Sequence, residues 1–151
     1  MSTQAYRRVA GALLIVVPIA FTACFTLLQL SFEYPDILRQ PTAEILRKFQ
    51  AGGPALIGLW YGMTLSALLF IPIVVLIHQV LERGGASAIL WLASTFGVIA
   101  GVVQTLGFLR WVFVVPQLAI VYLDPATSLA QREAVAVVFD AHQSLCGHGN
   151  W

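Results

Sequence analysis

From Val9 to Phe32 no side chain carries a charge, and that run restricts the chain more than any other feature. As a helix rising about 1.5 Å per residue it reaches roughly 36 Å, enough to cross about 30 Å of hydrocarbon with some tilt. Arg7 and Arg8 precede it, as in a secretory leader, yet the run is far longer than the apolar stretch of a signal peptide. It predicts a retained membrane span. Two further apolar runs follow, Ala55 to Leu81 and Ala86 to Leu123.

The remaining residues offer little with which to build a water-facing surface. Of 151 residues 59% are hydrophobic and 10% are charged, with a mean hydropathy of +0.85; an ordinary soluble domain carries about a quarter charged residues. Lipid solvates an apolar exterior without charges, so the bilayer is the expected surrounding partner. A formal net charge of +1 with no long Lys or Arg run gives neither the electrostatic footprint of nucleic-acid binding nor a polybasic lipid patch. Cys24 and Cys146 lie far apart and form no disulfide framework. The sequence has no Gly-rich phosphate loop, His-Glu-x-x-His motif or nucleophile elbow, so it offers no catalytic residue, implies no cofactor, and leans away from an enzyme.

Between the first two runs the chain turns polar from Glu33 to Gly53. It opens this stretch with Tyr34-Pro35-Asp36 and closes it with Gly52-Gly53-Pro54, both loop punctuation. Inside it, Ile45, Leu46 and Phe49 share one face of a short helix over about 42–50, while Glu44 and Lys48 stand at i,i+4 on another. That is the pattern of a helix on a membrane surface or of a solvated loop helix. Pro54 permits the start of a second span, about 55–81, which Glu82-Arg83-Gly84-Gly85 ends. So short a connection makes the second and third spans antiparallel neighbours.

Ala86 to Leu123 would reach roughly 57 Å as one helix, too long for a single crossing. The third span is placed at about 87–109, with Arg110-Trp111 at the interface and 112–123 protruding or lying on the surface around Pro116. After Asp124-Pro125, Ser128 and Gln131 stand at capping-box spacing and begin an amphipathic helix over about 128–146. Val135, Val138, Phe139, His142 and Leu145 fall on its apolar side, with Glu133 and Asp140 off it. The expected fold is all-α: one integral membrane helical bundle over 1–151, with three main transmembrane spans and amphipathic surface helices. Arg7 and Arg8 abut the first span and favour a cytoplasmic N-terminus.

The run from Gly101 through Gln104, Gly107, Arg110 and Trp111 to Pro116, followed by Tyr122 and Asp124-Pro125, resembles the domain of unknown function 4386 family, a bacterial multi-pass membrane group. The resemblance extends across most of the chain. It implies a helical protein of the bacterial inner membrane and names no catalytic residue. Members of that group run on into further spans after the amphipathic helix, so the chain looks like the N-terminal part of the family architecture, a truncated one.

Arg110 is the most informative single residue, because a guanidinium at membrane depth is costly and pairs or faces a cavity. Asp124 and Asp140 reach it only if the chain folds back; otherwise Arg110 snorkels to headgroups beside Trp111. Gly58 and Gly62, and Gly97 and Gly101, form small-residue stripes for close helix packing, within the chain or between chains. Gln29, Gln104 and Gln117, with Thr105, either bond helices together or line a solute passage. His142, Cys146 and His148 are weak metal candidates without a zinc spacing, and His78 near the end of the second span is a further isolated imidazole. The function expected is a structural or accessory module packing with itself, as a homo-oligomer, or with a larger membrane complex. The alternative is part of a small-solute transporter or channel with Gln104, Thr105 and Arg110 near the pathway; a membrane-bound enzyme comes third.

Overall fold

The computed structural model describes residues 3–82 and 87–145. Its elements are α1 (Thr3–Phe32), a 3-10 turn (Asp36–Arg39), α2 (Thr42–Leu81), α3 (Ala88–Leu123) and α4 (Leu129–Leu145). Among the described residues there is no strand, and α1, α2 and α3 contain stretches long and apolar enough to cross a membrane.

Helix ends follow local chemistry. α1 stops where Glu33 takes a left-handed backbone (φ 57°), its N–H donating to Gln29 O and that of Tyr34 to Leu28 O. α2 is two helices joined at Gly53, whose φ of 55° and ψ of −152° belong to glycine. The break falls within the Gly52-Gly53-Pro54 punctuation. Ahead of it Ile45, Leu46 and Phe49 are all buried, so this short helix packs its apolar face into protein. Lys48 meets the carboxylate of Glu33 at 2.6 Å, not Glu44, because the left-handed turn brings Glu33 to it.

α3 runs unbroken through Pro116 to Leu123, so the stretch 112–123 continues the third helix. Proline withholds one N–H from the helix. Here Trp111, Val115 and Ala119, one turn apart, with Val112 beside them, are buried as a stripe that spans the proline and holds both sides to one surface. Asp124 then ends the helix, its side chain accepting from Ala126 N–H. Ser128 and Gln131 form the capping box of α4: Ser128 Oγ accepts from Gln131 N–H, and Gln131 Oε1 accepts from Ser128 N–H at 3.1 Å.

The chain forms two compact units. The first comprises Met1–Cys24 and Gly62–Leu106. In it α2 and α3 are antiparallel neighbours, and residues about equally far along the chain from their connection meet: Ile71 with Gly101, Val74 with Gly97, His78 with Ser94. The approach is close enough that a Cβ on Gly101 would lie 2.7 Å from Ile71 Cγ1, and one on Gly62 would lie 2.6 Å from Cys24 Sγ. Val17, Met63, Ala67 and Ile73 are buried, whereas Ile15, Ile19, Phe96 and Val103 point outward.

The second unit comprises Phe25–Tyr61 and Gly107–Trp151. Its core is aromatic. Trp60 stacks on Trp111, Phe32 stands edge-on to both, and Phe49, Phe108 and Phe139 close the cluster. Such pairs add about 0.5–1.5 kcal/mol each beyond simple burial. α4 docks here through Phe139, 3% exposed, while Val137 and Val138 face outward.

Candidate functional site

Three groupings of polar side chains stand out, one in the second unit and two in the first. In the second, the chain after Arg110 folds back. Arg110 Nη2 donates to Gln143 Oε1 at 2.9 Å, and the guanidinium lies 5.4 Å from the centre of the Trp111 ring. One group that α4 delivers to it is thus an amide 33 positions on. Asp140 accepts from Thr42 Oγ1 at 2.6 Å, tying α4 also to the start of α2. Arg110 therefore sits in a clamp between α3 and α4, with Trp111 beneath it.

In the first unit, a cleft of about 260 Å3 is lined by Leu14, Pro18, Thr22, Ser66 and Gln104 among others. Ser66 donates to Gly62 O on its own helix. Pro18 has no N–H to return to the carbonyl of Leu14 four residues earlier, and both residues line this cleft. Gln104 is exposed, and its amide makes no hydrogen bond among the described residues. Thr105, next along α3, is buried and donates to Gly101 O at 2.7 Å, so its hydroxyl is already engaged.

A second cavity of the first unit, about 500 Å3, lies beside the end of α2 and the start of α3. His78 is 8% exposed. Its Nδ1 lies 2.7 Å from Ser94 Oγ, and Ser94 Oγ donates to Leu90 O at 2.9 Å. With that hydroxyl proton committed to the carbonyl, Ser94 meets Nδ1 as an acceptor. Nδ1 then carries a proton, and in the neutral imidazole the lone pair is on Nε2. Glu82 Oε2 lies 3.7 Å from Nε2, and Nε2 is buried with no hydrogen-bond partner among the described residues. Trp91 stands edge-on to the imidazole at 4.4 Å.

A serine, a histidine and a carboxylate in one place raise acyl-transfer chemistry, but their order opposes it. A nucleophilic serine gives its proton to the imidazole while the carboxylate holds the other N–H. Here the serine accepts from the imidazole.

The structure distributes the sequence candidates unevenly. Gln104, Thr105, Gly62, Gly97 and Gly101 lie in the first unit, Arg110 and Gly58 in the second. Nothing lies within 4 Å of where a Cβ on Gly58 would stand. Gln29 and Gln117 are exposed. Of the metal candidates, the side chain of His142 and the whole of Cys146 and His148 lie outside the described residues, and among the described residues no group of three or more ligating side chains gathers. Sequence reasoning missed the pairing of His78 with Ser94, Trp91 and Glu82. The signal for it was the short connection between α2 and α3, which fixes an antiparallel register.

The family model described as domain of unknown function (DUF4386) matches residues 9–149. The chain belongs to the DUF4386 family. No curated protein and no solved structure matches it. Membership in DUF4386 brings with it no activity, so the chemistry must be read from the two cavities and the clamp.

Proposed function

We propose that this DUF4386 protein is a multi-pass protein of the bacterial inner membrane, N-terminus in the cytoplasm, serving as a structural or accessory module that associates laterally with another membrane-spanning helix. The observation that carries the reading is the Gln104 cleft. Along helices apolar enough to span, it gathers an amide without a hydrogen bond among the described residues and the carbonyl that Pro18 releases. Hydrocarbon offers neither group a partner, and an unmatched polar group there costs several kcal/mol. A neighbouring helix carrying a hydroxyl or amide satisfies both, and such interhelical bonds contribute about 0.6–2 kcal/mol each. The engaged states of Thr105 and Arg110 weigh in the same direction, since neither is left to line a solute path.

The test is the mass of the intact complex recovered in mild detergent from the native membrane, for the natural chain and for Gln104→Leu. The expected result is a complex heavier than one chain, formed with a second copy or a foreign subunit, that Gln104→Leu dissociates. A lone chain, or a complex indifferent to that substitution, removes the proposal. Reporter fusions after Gln4 and Gln40 check the orientation.

A further inference from the structure

The assembly reading makes no use of the His78 cavity, which poses a separate electrostatic problem. With the imidazole neutral and its proton on Nδ1, His78 presents a lone pair at Nε2, and Glu82 presents a carboxylate oxygen 3.7 Å away. Both are acceptors. In that state they share no proton, and among the described residues Nε2, on a residue more than nine-tenths buried, has no hydrogen-bond partner. Two acceptors so placed ask for a donor between them. A single nitrogen can lie within about 2.8 Å of each, the ordinary length of a charge-assisted N–H···O bond. The rest of the lining narrows what carries that nitrogen. Trp91 offers an aromatic ring on which the apolar body of a ligand can rest. Val75 and Val98 supply an apolar wall, and the cavity of about 500 Å3 is of the size that holds a small organic molecule.

We propose that this cavity binds a primary ammonium group, its N–H bonds directed to His78 Nε2 and the Glu82 carboxylate, with the apolar body of the ligand against Trp91 and the valine wall. Each feature selects. The carboxylate requires positive charge, so a neutral alcohol of the same shape binds poorly. The Nε2 lone pair requires an N–H, so a quaternary ammonium binds poorly despite its charge. A divalent metal is a weaker fit, because among the described residues one imidazole and one carboxylate converge here. The ammonium belongs either to a small lipophilic amine or to the headgroup of phosphatidylethanolamine.

The experiment is calorimetric titration of the full chain in phosphatidylcholine nanodiscs, which contain no primary amine, with 2-phenylethylammonium. The matched alcohol and the trimethylammonium analogue serve as controls. The expected result is saturable binding of one amine per chain, weakened at least about tenfold for both controls and by Glu82→Gln. Glu82 is partly exposed at the helix end, so Glu82→Gln leaves the fold intact. Trp91→Leu, at a site 57% exposed, gives a second weakened variant. Repeating the titration with phosphatidylethanolamine in the disc separates the two sources. Competition, with that lipid retained by the natural chain and not by Glu82→Gln, assigns the site to a headgroup; undiminished binding assigns it to a lipophilic amine. Absence of saturable binding, equal binding of either control, or indifference to Glu82→Gln overturns the proposal.

Discussion

The indole of Trp60 lies flat on that of Trp111, with ring centroids 4.6 Å apart and planes 6° from parallel. Both residues are buried, and Phe32 of α1 stands edge-on to both. The pair therefore fastens α2 to α3 at the point where α1 also arrives. Trp111→Ala is expected to lower stability by about 3–5 kcal/mol, because the cavity left is too large for its neighbours to fill. Reversible unfolding in mixed micelles measures it. A loss below about 1 kcal/mol would show that lipid or detergent replaces the stacked rings, and the cluster would not be what joins the helices.

Close approach at Gly62 gives a second prediction. A Cβ there would meet Cys24 Sγ at 2.6 Å, so Gly62→Ala is expected to cost about 1–3 kcal/mol. Combining it with Cys24→Ala removes the clashing atom and should recover much of the loss. A strictly additive double variant, measured in the same unfolding assay, would contradict this geometry.

Gly53 and Gly58 should respond oppositely to the same substitution. Gly53→Ala is expected to destabilise by about 1–3 kcal/mol although nothing stands in the way of a Cβ, because its backbone conformation is open to glycine alone. At Gly58 a Cβ likewise meets nothing, but the backbone is helical, and Gly58→Ala should stabilise by about 0.5–1 kcal/mol. Melting temperatures of the two variants, compared side by side, check the sign of each. A Gly58→Ala loss would mean that a neighbouring molecule occupies that face.

The Arg110–Gln143 bond should act on α4 more than on the bundle. Gln143→Leu is expected to cost about 1–2 kcal/mol and to raise amide exchange selectively over Leu129–Leu145, since Arg110 also rests against Trp111, whose cluster remains. Exchange that rises equally in α2 and α3 would contradict a clamp confined to the last helix.

Local features of this fold were readable in the sequence because their causes are local. The charge-free run before Phe32, the Gly52-Gly53-Pro54 break and the Ser128–Gln131 cap each depend on neighbouring residues. The face shared by Ile45, Leu46 and Phe49 was legible as a face, but not its burial, which depends on rings from α1 and α3. Arg110 was recognisable as a group in need of a partner; which residue α4 would bring to it depends on the angle of a turn. The continuity of α3 through Pro116 was hidden for a related reason, since the buried stripe that sustains it exists only after the other helices arrive. His78 and Ser94 belong to an intermediate class. Their register follows from the short connection between α2 and α3, but the hydroxyl's choice of Leu90 O, which fixes the imidazole proton, is a matter of geometry.

The order in which the two units draw on the chain has a consequence for how such proteins diverge. The chain enters the first unit, leaves it at Cys24, returns at Gly62 and leaves again at Leu106. No single crossover between two related genes can exchange one unit whole while leaving the other whole, because their segments interleave. One crossover that replaces a loosened Phe25–Tyr61 or Gly62–Leu106 segment therefore also replaces part of the other unit, and one between Tyr61 and Gly62 leaves each unit assembled from two sources.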